Sequence, residues 1–171
     1  MNDDNPPFCW SRAAQAGLTF RRTTDADLPF LKRVYASTRA EELAVTPWSD
    51  AQKAAFLDMQ FRAQHADYQT NYPDADRLVM MRGGDEIGRL YLGRWPKEHC
   101  IIDIALLSEH RGKGLGEALL RDLMDEAAAC GKTVRIYVEK FNPAMRLYRR
   151  LGFATEEDKG VYDLMRWSAE S

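Results

Sequence analysis

The spacing of apolar residues predicts two helices near the start of the chain. Apolar residues recur at helical intervals at Leu28, Leu31, Val34 and Tyr35. Thr24 and Asp27 form a capping pair for this first helix. A second helix is predicted from about Asp50 to Tyr68, and the polar segment Arg39–Trp48 between the two is predicted to turn.

Elsewhere the pattern is that of strands. The predicted strands are Leu18–Arg22, Arg77–Arg82, Glu86–Arg94, Cys100–Leu107, Thr133–Glu139, Phe153–Glu156 and Val161–Trp167. Cys100–Leu107 is nearly all apolar, which is typical of a central strand buried on both faces. Two more helices are predicted, one from the glycine-rich turn to Cys130 and one over Asn142–Leu151, each followed by a glycine. The element order predicts an α/β fold with a mixed sheet and helices on its faces.

Size and charge narrow the classes of function. The 171 residues suit one domain, and we expect it over residues 18–171, after a flexible tail over residues 1–17. The net charge is −2, from 24 basic and 26 acidic residues, so neither a nucleic acid nor a membrane surface is expected as a partner. No apolar run approaches the roughly 20 residues that span a bilayer.

The three cysteines give no sign of a metal centre. Cys9, Cys100 and Cys130 are widely spaced, and neither a disulfide framework nor a zinc site follows from their positions. We therefore expect no metal and a reduced, cytoplasmic location. The first residues are acidic and lack the apolar core of a secretion signal.

A glycine-rich turn, Arg111–Gly116, directly follows the most apolar strand and opens a helix. The first N–H groups of a helix lack partners within it, and glycines let an anion approach the backbone closely. Arg111 and Lys113 add positive charge. The spacing fits neither the P-loop nor the dinucleotide fingerprint. The turn by itself is also compatible with a glycine turn that binds nothing.

Two motifs together resemble a known family. The stretch LLSEHRGKGLG, residues 106–116, and the stretch NPAMRLYRRLGF, residues 142–153, are similar to the acetyl-CoA and N…A…LY…GF motifs of the GNAT superfamily of N-acetyltransferases. The resemblance covers roughly Leu18 to Trp167. One departure is Ser108, where many members have proline. The resemblance implies a mixed, mostly antiparallel sheet with helices on both faces and two strands splayed at the cofactor site.

The resemblance also implies a set of cofactor contacts. Acetyl-CoA would be the co-substrate, its pantetheine arm pairing with the backbone of Leu106 and Leu107 and bonding to Asn142. The remaining implied contacts lie on the glycine turn, at Arg111, Gly112, Lys113, Gly114, Leu115, Gly116 and Glu117. Tyr148 would approach the sulfur and protonate the leaving thiolate, since a phenol is a proton donor at neutral pH. The spacing alone favours Tyr148 as a core residue of its helix, because it shares one helical face with Ala144, Leu147 and Leu151.

Two carboxylates are candidates for the base that accepts the amine's proton. Asp103 lies in the apolar strand, where a carboxylate must be paired or functional. Glu139 ends the neighbouring strand. We favour Asp103, because desolvation makes a carboxylate a better proton acceptor, while either residue is also compatible with a purely structural role.

The first two helices would shape the acceptor pocket in a GNAT protein. The expected acceptor contacts are Arg39, Glu42, Gln60, Gln64 and Tyr68, the last three forming a stripe on one helix face. A solvated surface helix gives the same pattern. The predicted function is transfer of an acetyl group to a primary amine of a small molecule or peptide, in a protein that is a possible homodimer. The alternative is a sensor or interaction protein that binds acyl-CoA without turnover.

Overall fold

A computed structural model describes residues 9–169 of the chain. Its helices are Ser11–Gln15 (α1), Leu28–Ala44 (α2), Asp50–Asn71 (α3), Leu115–Ala129 (α4) and Met145–Arg150 (α5). Its strands are Leu18–Arg22 (β1), Asp76–Arg82 (β2), Asp85–Arg94 (β3), Glu98–Leu106 (β4), Thr133–Glu139 (β5), Ala154–Lys159 (β6) and Tyr162–Trp167 (β7). The predicted elements are therefore present, with shifts of a few residues at their ends.

The strands form one sheet in the order β1-β2-β3-β4-β5-β7-β6. Neighbouring strands are antiparallel except β4 and β5, which run parallel with α4 as the crossover. Helices cover both faces: α1, α4 and α5 contribute to one apolar core, and α2 and α3 to the other. This arrangement confirms the predicted fold class.

The pairing of β4 with β5 is short, and a bulge explains why. Their register runs only from Glu98 opposite Thr133 to Ile101 opposite Ile136, although both strands continue. On its other side β4 pairs with β3, and Ile102 is skipped in that register. An extra residue of this kind bends a strand and increases its twist. The two strands consequently part beyond Ile101, as the resemblance implied.

The bulge also corrects the expectation that β4 is buried on both faces throughout. His99, Cys100 and Ile101 are buried, but residues 102–106 are only partly so. Ile101 and Ile104 both face the core that contains α4. Asp103 instead lies on the α3 side, where it accepts a hydrogen bond from Tyr68. Without the bulge, strict alternation would have placed Asp103 on the same face as Ile101.

Helix α2 continues through the segment that was predicted to turn, so that prediction is wrong. The helix ends at Ala44, and Leu43 in its last turn is buried. Arg39 forms an ion pair with Glu42 one turn further along, the helical spacing at which such pairs stabilise. The turn is confined to the few residues before Ser49, which caps α3 by accepting a hydrogen bond from the N–H of Gln52.

Part of the segment expected to be a flexible tail is ordered instead. Residues 11–15 form α1, and Trp10 and Ala13 are buried against the sheet and α4. The carboxylate of Asp122 accepts a hydrogen bond from the N–H of Ala13, at 2.8 Å. This contact fixes the start of α1, so residues 9–17 pack on the domain. Residues 1–8 lie outside the described residues.

Neither a membrane-spanning helix nor a metal cluster is found in residues 9–169. No helix in this range combines the length and apolar character that crossing a bilayer requires. The same range holds no group of three or more His, Cys, Asp or Glu side chains placed around a common ion. Cys9, Cys100 and Cys130 are free thiols.

Candidate active site

The glycine turn between β4 and α4 is open to solvent. Gly112 and Gly114 have φ angles of 73° and 78°, which glycine adopts without the steric cost a side chain would add. A Cβ built at Gly112, Gly114 or Gly116 would have no heavy atom within 4 Å. Gly114 is the N-cap of α4, so the first N–H groups of a 15-residue helix point out of the turn. The turn is thus exposed, with the positive end of a helix dipole behind it, an arrangement that suits an anion.

Beyond Ile101 a gap separates β4 from β5. The edge of β4 that faces this gap carries the backbone groups of Leu106 rather than those of Leu107. The Leu107 N–H donates to the carbonyl of Ile87 at 2.8 Å, and its carbonyl accepts from the N–H of His110. The Leu106 carbonyl accepts from Nε of Arg111 at 2.9 Å, and the same guanidinium donates to Ser37. Both backbone groups of Leu107 are engaged within the chain, so Leu106 is the better placed of the two expected pantetheine contacts.

Tyr148 lies in the core beside the gap. Its side chain is buried and packs edge-on against Phe153, with ring centroids 5.7 Å apart. No hydrogen bond to its hydroxyl occurs within residues 9–169. Burial raises the pKa of this phenol, and the negative charge of Asp103 raises it further. Tyr148 therefore stays protonated across the neutral range, and its O–H is uncommitted.

Asn142 precedes α5, on the side of the gap formed by β5. Its Oδ1 accepts a hydrogen bond from the N–H of Ala144 at 2.9 Å. This contact fixes the side chain and leaves its amide N–H₂ as a donor. Asn142, Lys140 and Arg146 line part of a cavity of about 470 Å³. The carboxylate of Glu117, another expected contact, forms ion pairs with Arg121 and with Arg150 of α5, so two arginines compensate its charge.

Asp103 belongs to a polar network between the sheet and α3. Its Oδ2 accepts from Nη2 of Arg89 at 2.6 Å and from the hydroxyl of Tyr68 at 3.1 Å. Nη2 of Arg89 also donates to Oε1 of Gln64 at 2.8 Å. Burial raises the pKa of Tyr68, with a further contribution from the charge of Asp103, so Tyr68 acts as a hydrogen-bond donor here. The other candidate base has a different setting.

Glu139, at the end of β5, is paired with Arg39 of α2. Their Nη2 and Oε1 atoms are 2.8 Å apart. Burial is the largest single influence and acts to lower the pKa of Arg39, but the hydrogen bonds with Glu139 and Tyr35 and the charges of Glu139 and Glu42 together outweigh it and raise the arginine's pKa. The Arg39 guanidinium also lies 5.7 Å from the ring centroid of Tyr35. Two residues predicted for separate roles, acceptor binding and proton acceptance, thus neutralise each other.

The predicted acceptor stripe on α3 points towards the sheet. Gln60 accepts from the hydroxyl of Tyr35 at 3.0 Å, and Gln64 and Tyr68, one and two turns later, hold Arg89 and Asp103. The stripe is therefore not a solvated helix face. Each of its members is hydrogen-bonded to another side chain of the protein, while Glu42, the remaining predicted contact, is exposed and bound to Arg39.

Sequence reasoning missed Arg89, although a signal for it was present. Asp103 is notable in the sequence because it is a charged residue within an apolar strand. Arg89 is likewise a charged residue within the largely apolar segment EIGRLYLGR. Its side chain is only 2% exposed. A buried cation needs a compensating charge, so the two strands carried matching halves of one ion pair.

The chain belongs to the acetyltransferase (GNAT) family, whose pattern matches residues 38–153. Among solved structures, the PaiA N-acetyltransferase of Thermoplasma acidophilum, crystallised with coenzyme A, shares the fold with a TM-score of 0.64 and 20% identity. The match covers 87% of this chain and 97% of that one.

Curated relatives are acyltransferases. The L-methionine sulfoximine/L-methionine sulfone acetyltransferase of Salmonella typhimurium is 30% identical over 80% of each chain. The L-amino acid N-acyltransferase MnaT of Escherichia coli is 49% identical over 44% of this chain and 48% of its own. The match to the mycothiol acetyltransferase of Corynebacterium glutamicum, at 36% identity, covers 60% of this chain but spans only 35% of that protein.

Proposed function

We propose that the chain is an N-acetyltransferase that moves the acetyl group of acetyl-CoA to a primary amine. The observation that carries this proposal is the gap between β4 and β5. The glycine turn opens at its edge, Tyr148 flanks it from one core, and Asp103 lies on the opposite face. The names of the relatives support a small-molecule acceptor, since two of them are named for acylation of amino acids or amino-acid analogues.

The residues around the turn fit acetyl-CoA. The diphosphate is an anion, and the N–H groups at the start of α4, with Arg111 and Lys113, supply positive potential next to glycines that leave space. The Leu106 backbone, whose carbonyl Arg111 also contacts, and the amide of Asn142 would hold an extended amide-bearing arm. Acetyl-CoA supplies a thioester, whose carbonyl carbon the amine attacks and whose sulfur leaves as a thiolate.

Tyr148 provides the proton for that sulfur. Its raised pKa keeps the phenol protonated, and its O–H has no competing acceptor within residues 9–169. In the transfer, the O–H bond breaks as the S–H bond forms, and the phenolate regains a proton from solvent. General acid catalysis of this kind contributes roughly 10²–10⁴-fold in rate.

Asp103 accepts the proton of the amine, directly or through a water molecule. Both side-chain hydrogen bonds to Asp103 end on Oδ2, so Oδ1 is left for the amine. Glu139 remains the alternative, but its partner Arg39 competes for it. A base is needed because an amine of pKa near 10.4 is protonated at neutral pH and cannot attack in that form.

The test is a thiol-release assay with acetyl-CoA over a panel of primary amines, with calorimetric titration of acetyl-CoA beside it. We expect binding of acetyl-CoA and amine-dependent release of CoA thiol. Binding with no release for any amine would favour a sensor of acyl-CoA. Absence of both would overturn the proposal.

A further inference from the structure

A buried ion pair lies on the acceptor side of the gap. Arg89 of β3 is 2% exposed and Asp103 of β4 is 14% exposed, with 2.6 Å between Nη2 and Oδ2. Gln64 and Tyr68 of α3 fix the pair by one hydrogen bond each. The guanidinium also lies 5.4 Å from the ring centroid of Tyr91. A positive and a negative group are thus held rigidly side by side.

Each partner keeps hydrogen-bonding capacity that the protein does not use. Both hydrogen bonds that Arg89 donates to Gln64 and Asp103 leave from Nη2, while its Nε is buried and has no partner within residues 9–169. The Oδ1 atom of Asp103 accepts no hydrogen bond in the same part of the chain. A buried donor without a hydrogen bond costs free energy. The guanidinium is therefore suited to donate to an acceptor atom of a ligand.

We propose that this pair recognises an acceptor whose amine has a carboxylate beside it, as in an α-amino acid, with Arg89 binding the carboxylate and Asp103 facing the amine. The inference rests on the proposed transferase function and names its substrate class. An α-amino acid carries a negative carboxylate next to a positive amino group. The positive Arg89 and the negative Asp103 lie side by side in the same way, so each can face the group of opposite charge. A diamine would bring a second cation towards Arg89, and a simple amine would leave the arginine's donors unmet.

The first experiment compares acceptors on the unaltered protein. For each of several L-amino acids, the thiol-release assay is repeated with the corresponding amide and with the decarboxylated amine. We expect kcat/KM to fall by about 10- to 100-fold for both analogues, the range for losing a hydrogen bond to a charged group. The amide is a stringent comparison, because its amine is less basic and more often unprotonated. Equal or higher kcat/KM for the analogues would overturn the inference.

The second experiment assigns the preference to Arg89. Arg89→Lys keeps the positive charge but loses Nε and the planar fork. We expect kcat/KM to fall more for the amino acid than for the decarboxylated amine, so that the preference, measured as the ratio of the two values, collapses. Both values are expected to fall, because Asp103 loses its partner. Arg94→Lys is the matched control on the same strand, where the arginine pairs with Asp76 and Glu126, and it should retain the preference. Retention of the preference by a folded Arg89→Lys protein would contradict the assignment.

Failure of the transferase function would look different. No amine of any kind would then release CoA thiol. The recognition itself is still measured by calorimetric titration of the amino acid and its amide into the protein with CoA present. Tighter binding of the amino acid supports the inference, and equal binding overturns it, whatever the catalytic outcome.

Discussion

The two sides of the gap use different kinds of groups. On the α4 side the chain offers backbone N–H groups at an exposed turn whose glycines touch nothing. On the α3 side it offers side chains that are already paired with one another, Arg89 with Asp103 and Arg39 with Glu139. The α4 side is open to solvent and suits an anion, whereas the charged side chains on the α3 side neutralise one another in pairs.

This difference explains why one side is recognisable in sequence and the other is not. Any chain that forms such a glycine turn before a helix exposes the same backbone N–H groups. A short local motif is therefore enough to indicate a possible anion site there. The acceptor side depends on pairs between residues 14 and 100 positions apart, which only the tertiary structure brings together. No short stretch of sequence specifies such side-chain pairs, so a local motif does not reveal them.

The largest expected effect concerns Tyr148, which lies in the core on the α4 side of the sheet. Tyr148→Phe keeps the ring and removes the uncommitted hydroxyl. We expect kcat to fall by about 10²- to 10⁴-fold, with the affinity for acetyl-CoA little changed. The steady-state rate and a calorimetric titration measure these quantities separately. Tyr162→Phe, on the partly exposed β7 tyrosine, is the control and should keep full activity.

The same hydroxyl has a consequence for pH. Its pKa lies above the ordinary value of 10, so the donor form persists through that pH. Loss of kcat on the alkaline side through titration of Tyr148 should therefore begin only above about pH 10. A kcat for Tyr148→Phe within about twofold of the unaltered protein, with chemistry rate-limiting, would remove Tyr148 from the mechanism.

A somewhat smaller effect should separate the two ion pairs. Asp103→Asn leaves the buried Arg89 uncompensated, and removing one partner of a buried pair typically costs about 3–5 kcal/mol of unfolding free energy. Glu139→Gln breaks the pair with Arg39, which is more exposed, and should cost less than about 1 kcal/mol. Urea unfolding measures both. Equal losses of unfolding free energy would show that the deeper burial of the Arg89–Asp103 pair makes no difference to stability.

Turnover in these two variants then separates the candidate bases. If Asp103 is the base, Asp103→Asn should bind acetyl-CoA, remain folded below its lowered midpoint and lose turnover together with the acidic limb of its pH–rate curve. An unaltered pH–rate curve in the folded variant would move the role to Glu139 or to a chain of water molecules.

The open turn is tested by placing a charge in it. Gly114→Asp puts a carboxylate at the start of α4, where an acetyl-CoA diphosphate would meet it. We expect roughly fivefold weaker binding of acetyl-CoA, because a dipole interaction of roughly 1 kcal/mol is now opposed. Gly131→Asp is the matched control, because Gly131 also has a positive φ, with open space around it, at the other end of α4. Equal weakening in both variants would indicate a folding effect instead.

Local pattern was enough for most of the fold. The strands, the glycine turn and the helix of Tyr148 follow from periodicity and turn residues, which act over a few positions. The face on which Asp103 lies does not, because one skipped residue, Ile102, reverses the alternation. The length of α2 was also missed, because Leu43 gains its burial from tertiary packing. The sequence therefore predicts which residues are unusual but not which of them meet.

The last expected effect concerns stability and tests whether the body of α4 is fixed independently of its open end. Glu126, near the helix C-terminus, is bonded to His99 of β4 at 2.6 Å and to Arg94 of β3 at 3.1 Å. Burial opposes its ionisation, but these hydrogen bonds outweigh it and lower its pKa from 4.5 to about 2. A carboxylate with a lowered pKa stabilises the fold above its unfolded pKa, and this contribution disappears as pH falls through the folded one. The stabilisation by Glu126 should thus be complete above about pH 4.5 and be lost by about pH 2. Because the group is only half-buried, we expect about 1–2 kcal/mol rather than the full value of the shift.

Urea unfolding of the unaltered protein and Glu126→Gln should differ by this amount at neutral pH and converge at the acidic end. Glu126→Gln should also keep its affinity for acetyl-CoA at neutral pH. A parallel loss of affinity would show that the glycine turn is not prepared independently of the rest of the helix.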